Sequence, residues 1–293
     1  MSTPCRGGSK TGWVAQPRID DSLRRCQAEF ETTVPYSVAA STRTSVAHST
    51  ALVTGGATGI GAAITCRLLA DGLNVYVAQR TEAEVAAGKD FFRHSARVRL
   101  GAHDLSDAKE CARAVEACAA HFGALDILVN NAGVTGAGAV DALGNFSDRR
   151  IDQVIDVNLK APLRLVREAL PYLSRNEGVV VNIGSIAGLQ AQTNAAAYVS
   201  SKAGMDGLTR ALAYDLASLR VRVVCIAPGD VETVSSRAAE FAAERAVSWA
   251  KRTPWPRPIR PADVAAAVAW VISGEAAAVT GSTIYVDGGL AAY

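Results

Sequence analysis

Cysteine, histidine and unbalanced charge are all scarce in this chain, and each shortage removes a class of function. The six cysteines (Cys5, Cys26, Cys66, Cys111, Cys118 and Cys225) contain no C-x-x-C pair. They build neither a redox dithiol nor a zinc site, and they read as reduced, mostly buried thiols. The four histidines (His48, His94, His103 and His121) are scattered without an H-x-x-x-H pair, so they read as structural or surface residues and no metal is expected. A formal net charge of +2 offers no electrostatic handle for nucleic acid or for a membrane surface. No apolar run approaches the ~18 residues that a bilayer-spanning helix needs. The N-terminal region lacks the apolar core of a secretory signal, and its acidic residues Asp20, Asp21, Glu29 and Glu31 argue against a transit peptide. The expected location is cytoplasmic. What the chain has in abundance is apolar side chain, 49% of its residues, enough for one large core.

Two regions differ in texture. Residues 1–48 are rich in Ser, Thr and Arg, carry Pro17 and Pro35, and show no sustained period. They read as a mobile tail, or as residues ahead of a later start codon. From Thr50 onward short β-branched runs alternate with Ala-rich stretches. Strands are expected at 51–54, 74–78, 97–102, 126–130, 179–183, 221–226 and 283–286. Helices are expected at 59–71, 82–92, 107–121, 148–173, 196–217 and 261–273. Near-continuous apolar strands separated by helices describe an α/β protein with a doubly wound, seven-stranded parallel sheet over residues 49–293.

The first strand runs into Thr54-Gly55-Gly56-Ala57-Thr58-Gly59-Ile60-Gly61 and then into a helix. Glycines there permit positive φ and close backbone approach to a pyrophosphate. The helix N-terminus adds free N–H groups and partial positive charge. The spacing is G-x-x-x-G-x-G, not G-x-G-x-x-G. About 20 residues on, where an acidic residue would bind the ribose 2′-hydroxyl of NAD, the second strand ends in Gln79-Arg80. A guanidinium grips a 2′-phosphate. NADP(H) is therefore the favoured cofactor and NAD(H) the alternative, with Arg80 on the phosphate and no acidic group beside it.

Tyr198-x-x-x-Lys202, thirteen residues after Ser185, puts a phenol and an ammonium one helical turn apart. A free phenol titrates near ~10, and a cation close by lowers such a value by roughly 1–3. The pair reads as a proton donor and acceptor for carbonyl or alcohol chemistry. In Val157-Asn158-Leu159-Lys160-Ala161-Pro162 the proline lacks the N–H that would bond the Asn158 carbonyl four residues back. Pro162 is either a plain kink or the means of keeping that acceptor free within a helix.

These pieces, together with Asp104, Asn130-Asn131-Ala132-Gly133, Pro228-Gly229 and Val286-Asp287-Gly288-Gly289, resemble the short-chain dehydrogenase/reductase family over about residues 49–291. The pattern is most similar to its 3-oxoacyl-carrier-protein reductase-like members. The resemblance implies a single Rossmann-type domain and a catalytic set of Asn158, Ser185, Tyr198 and Lys202. Tyr198 would be the acid in reduction, Ser185 would hold the substrate oxygen, Lys202 would hydrogen-bond the nicotinamide ribose, and a water at Asn158 would complete a proton relay. It implies cofactor contacts from Gly55, Thr58, Gly59, Ile60, Gly61, Arg80, Asp104, Leu105, Asn131, Ala132, Gly133, Tyr198, Lys202, Pro228, Gly229, Val231 and Thr233. Asp104 reads equally as a turn or helix-capping residue. The long tail and Asp230-Val231-Glu232-Thr233 depart from the pattern.

The resemblance also implies a mobile lid at 234–258, where Trp249 and Trp255 read as packing residues more than ligand contacts. The Gly- and Ala-rich loop 134–147 should form the opposite wall of the substrate space. A homotetramer, or a dimer, would form through helices 148–173 and 196–217. The expected reaction is hydride transfer between NADP(H) and a ketone or secondary alcohol, 3-oxoacyl thioesters included. An NAD(H)-dependent alcohol or sugar dehydrogenase is the alternative. A non-catalytic dinucleotide sensor, or an epimerase or dehydratase of the extended relatives, fits less well.

Overall fold

Seven parallel strands build the sheet of the computed structural model, which describes Val46, residues 48–233 and residues 253–292. They are β1 (Thr50–Thr54), β2 (Asn74–Gln79), β3 (Val98–Ala102), β4 (Ile127–Asn130), β5 (Val179–Ile183), β6 (Arg222–Pro228) and β7 (Thr283–Val286), in the order β3-β2-β1-β4-β5-β6-β7. Chain order runs outward from β1 on one side and from β4 on the other. The reversal between β1 and β4 opens a crevice at the carboxyl ends of the strands, the usual ligand position in such sheets. Strand number and direction agree with the sequence reading.

The strands form where they do because both faces are covered. Every residue of β1, β5 and β6 is buried, as aliphatic runs in a two-sided sheet must be. Register aligns Tyr76, Leu52, Leu128, Val180 and Val223 in one row across five strands. Onto that row pack Cys111, Ala114, Val115 and Cys118 of α3 (Ala108–Phe122), Leu165, Ala169 and Leu173 of α5 (Ala161–Leu173), and Leu212 of α6 (Ala196–Asp215). The alternate residues Val53, Val129, Val181 and Val224 are likewise in register and face the other way. On that side α1 (Gly59–Ala70) packs against α7 (Pro261–Ile272). Each fully buried Leu or Val contributes about 1.5–3 kcal/mol of burial.

Helix starts follow the side chains available. Thr81 caps α2 (Glu82–Phe91), Asp107 caps α3 and Ser147 caps α4 (Asp148–Ile155), each by accepting a main-chain N–H. Thr58, at the start of α1, makes no such bond.

The expected helix over 148–173 is not continuous. It breaks into α4, a π turn at Asp156–Lys160 and α5, with Ala161 N–H donating to the Asp156 carbonyl five residues back. The cause lies in Pro162, which cannot supply the next N–H and so tolerates a local change of register. Pro162 stands just past the π turn, in the first turn of α5.

Candidate active site

The crevice gathers the sequence-predicted residues at the ends of β1, β4, β5 and β6. Strand β5 stops at Ile183. Gly184 follows, where a Cβ would lie 2.6 Å from the Cys225 sulfur. Ser185 comes next, its hydroxyl accepting the Ala187 N–H at 3.1 Å. Tyr198 and Lys202 sit one turn apart on α6, and the Lys202 ammonium lies 5.9 Å from the Tyr198 ring centre. Ser185 and Tyr198 are partly exposed, whereas Asn158 and Lys202 are buried. The hydroxyl pair therefore faces outward with a charge behind it.

Electrostatics correct one expectation. Burial holds the Tyr198 phenol above its ordinary value, and a hydrogen bond with Ser185 opposes that rise. The Lys202 Nζ donates to the Ile183 carbonyl at 2.8 Å, and the rise from burial prevails at the phenol. Burial in turn pushes the Lys202 ammonium down to about 8, against the pull of Cys225 and Asp206. At neutral pH the site therefore presents a protonated phenol beside an ammonium, the arrangement suited to giving a proton away.

Asn158 lies in the π turn and ties three elements together. Its Oδ1 accepts the Val134 N–H at 2.7 Å, and its Nδ2 donates to the Val134 carbonyl at 3.1 Å and to Ser201 Oγ at 3.2 Å. Ser201 Oγ donates on to the Tyr198 carbonyl at 2.7 Å. Gly133 is needed beside it, since a Cβ there would lie 3.3 Å from Asn158 Oδ1. Ser201 was missed in the sequence, although it follows Tyr198 at helical i+3 spacing. Arg150 steadies the loop 134–147, pairing with Asp141 at 2.9 Å and donating to the Ala137 carbonyl at 2.8 Å.

The turn after β1 fits a dinucleotide. Gly55 and Gly59 both have positive φ, +63° and +51°, which other residues rarely adopt. A Cβ on Gly61 would collide with the Gly55 carbonyl, whereas above Gly59, among the described residues, only Thr233 approaches, its methyl 3.7 Å away. Thr58 leaves the first N–H groups of α1 without a side-chain cap, so Gly59 and Ile60 open a helix end that favours an anion. Thr54, which the sequence places at the head of the turn without a role of its own, organises the other side. Its hydroxyl accepts the Asn131 N–H at 2.9 Å and the Ala132 N–H at 3.0 Å. Asn131 Nδ2 donates to the Thr54 carbonyl at 2.8 Å.

Farther along, Gly229 packs against Asp287, with a Cβ there falling 2.8 Å from the Asp287 Cα. Pro228 pairs with Val286, and Val231 bridges to Ile259. Asp104 is exposed and accepts from Ser106 N at 3.1 Å and Ser106 Oγ at 2.8 Å, an Asx turn, while Leu105 beside it is buried. Trp255 is 51% exposed and lies over Gly288. Trp249 lies outside the described residues. Among the described residues no group of His, Cys, Asp or Glu could hold a metal, and no helix is long and apolar enough to cross a membrane.

At the ribose end, the sequence expectation of an unaccompanied Arg80 is overturned. Arg80 Nη2 donates to Glu84 Oε1 at 3.1 Å, and the Arg80 N–H donates to Glu84 Oε2 at 3.0 Å. Helical i+4 spacing from Arg80 carries the signal that was overlooked. Gln79, with its amide oxygen turned to the glycine turn, accepts the Ala57 N–H at 2.6 Å.

Residues 55–291 match the family model described as enoyl-(acyl carrier protein) reductase. The chain belongs to the short-chain dehydrogenase/reductase family. Among relatives, this short-chain dehydrogenase/reductase is 34% identical over 250 residues to the 3-oxoacyl-[acyl-carrier-protein] reductase FabG of Staphylococcus aureus (strain Mu50 / ATCC 700699), covering 82% of this chain and 97% of that protein. It is 37% identical over 246 residues to nodulation protein G of Rhizobium sp. (strain N33), covering 82% and 96%. A solved blue fluorescent protein from a metagenomic library, in complex with NADPH, superposes with a TM-score of 0.76 at 28% identity, covering 84% of this chain and 99% of that one. The chain is an NAD(P)-dependent oxidoreductase acting on CH–OH groups of small molecules.

Proposed function

We propose that this enzyme reduces a ketone to a secondary alcohol with NADPH, and that 3-oxoacyl thioesters are the substrate class to try first. The observation that carries the reading is the placement of a partly exposed Tyr198 and Ser185 at the end of β5, with the buried Lys202 Nζ 5.9 Å from the phenol ring centre. Bound NADPH supplies the hydride. Tyr198 gives its proton to the carbonyl oxygen as negative charge develops there. Ser185 donates a hydrogen bond to the same oxygen and steadies that charge. Lys202 supplies positive charge beneath the phenol and favours the phenolate left after transfer. Asn158 positions Val134 at the start of the loop wall and, through Ser201, the backbone of Tyr198. The FabG relatives and the NADPH-bound neighbour support the cofactor and substrate class.

Gly55, Thr58, Gly59, Ile60 and Gly61 would cradle the pyrophosphate, with Asn131, Ala132 and Gly133 beside the adenine ribose and Asp104 and Leu105 at the adenine. Pro228, Gly229, Val231 and Thr233 would border the nicotinamide. Arg80 would take the 2′-phosphate. An NAD(H)-dependent alcohol or sugar dehydrogenase is the second reading, favoured by the carboxylate of Glu84 against Arg80. The working form is a cytoplasmic homotetramer whose contacts use α4, α5 and α6. Leu163 on α5 and Tyr214 on α6, 48% and 87% exposed, support contacts there. A screen of ketones and 3-oxoacyl thioesters with NADPH and NADH, followed at the nicotinamide absorbance, tests the function. Turnover confined to alcohols with NAD would replace the reading with the second one.

A further inference from the structure

Glu84 brings an acidic group to the ribose end of the crevice. Thr81 caps α2 by accepting the Glu84 N–H at 3.2 Å, and the Glu84 side chain folds back over that first turn. One carboxylate oxygen takes the main-chain N–H of Arg80 and the other takes its guanidinium, at 3.0 and 3.1 Å. The Arg80 side chain is 61% exposed, so the pair stands at the rim, open to an arriving ligand. Gln79 is spent on the glycine turn, and Arg80 and Glu84 pair with each other at the end of β2.

We propose that Glu84 is a specificity-determining residue: it occupies Arg80 as an internal substitute for the 2′-phosphate, competes with that phosphate for the guanidinium, and so sets the ratio of NADP(H) to NAD(H) binding. The proposal rests on the NADP(H) reading above. A 2′-phosphate must displace or share the Glu84 carboxylate, and the two negative groups repel. A ribose 2′-hydroxyl can instead donate to the same carboxylate, the role an acidic residue plays in NAD sites. Glu84 therefore subtracts from one cofactor and adds to the other. An exposed i,i+4 ion pair contributes little to stability, so its loss leaves the fold intact. Gln at position 84 keeps an oxygen for the Arg80 N–H and preserves the cap.

Calorimetric titration of 2′,5′-ADP and 5′-AMP separates the effect, because these fragments differ only in the 2′-phosphate and need no turnover. The quantity read is the Kd of 5′-AMP divided by that of 2′,5′-ADP. In Glu84→Gln, and equally in Glu84→Ala, this ratio should rise about 3–10-fold over wild type at low salt and shrink toward wild type at high salt, where exposed charges are screened. Circular dichroism melting should match wild type. An unchanged ratio in both variants overturns the role of Glu84. The wild-type ratio taken alone tests the cofactor reading: a value below one overturns NADP(H) preference whatever the Glu84 variants do.

Discussion

Lys202→Met should erase a pH-dependent component of stability that the wild-type enzyme carries. The Lys202 ammonium is fully buried and its pKa falls from the ordinary 10.5 to about 8. Between about pH 8 and 10.5 the unfolded chain holds a proton that the folded one has released, so the unfolding free energy rises with pH across that window. Below it both states are protonated and the group gives no slope; the cost of burying the charge is then fully present. The drop from 10.5 to about 8 corresponds to about 3 kcal/mol at most. Other buried groups act in the opposite direction. Burial pushes the Cys118 and Cys225 thiols up to about 12, so the stability they lend below the ordinary thiol value is lost as pH climbs toward 12. Subtracting the variant from the wild type cancels them. Urea unfolding at half-unit steps from pH 7 to 10.5, on both proteins, gives the difference curve. It should be flat to pH 8 and then rise. A curve flat throughout would mean that Lys202 titrates in the folded protein as a solvated lysine does, and the electrostatic account of the site would fail with it.

The same ammonium should govern turnover: reduction falls as pH rises through about 8, and a rate unchanged to pH 10 counts against Lys202 acting in its charged form. Tyr198→Phe removes the proton donor while keeping the ring, and should lower kcat by about 10²–10⁴ with cofactor affinity retained by fluorescence titration; near-normal turnover refutes the assignment. Gly61→Ala sets a methyl against the Gly55 carbonyl and should abolish cofactor binding in the same titration, whereas unchanged affinity would show that the turn has room. Leu128→Ala, in the middle of the core row, should cost about 2–5 kcal/mol in urea unfolding, and a loss under 1 kcal/mol would show a core free to collapse. Deleting residues 1–46 should leave melting temperature and turnover as they are; a large drop in either shows that those residues dock on the enzyme.

Legibility tracked the range of the forces involved. The strands could be read because a sheet covered on both faces demands aliphatic runs such as Leu52-Val53 and Val179-Val180-Val181. The glycine turn could be read because positive φ at Gly55 and Gly59 admits few other residues. The phenol and ammonium declared themselves by one-turn spacing. What escaped depends on side-chain direction. Nothing in the order of residues says that Lys202 points at the Ile183 carbonyl rather than at the Tyr198 oxygen, or that Thr54 holds two N–H groups from a segment 77 and 78 residues away. Glu84 was readable in principle, since it lies four residues from Arg80 at a helix start. Its signal lies beyond the strand end, in the first turn of the following helix.

The π turn at Asp156–Lys160 carries one residue more than an α-helix of the same path. Each residue of an α-helix turns it by about 100°, so α4 stands out of phase with α5 by roughly that angle. Removing one residue from the turn would let an unbroken helix form at little cost in hydrogen bonds. The chain would still fold, yet α4 would rotate: Val154 would leave the interior it now fills and Arg150 would swing off Asp141 and the Ala137 carbonyl. A single-codon deletion here would thus dismantle the wall of the substrate space and, through Asn158 and Ser201, loosen the seat of Tyr198, while the glycine turn stays in place.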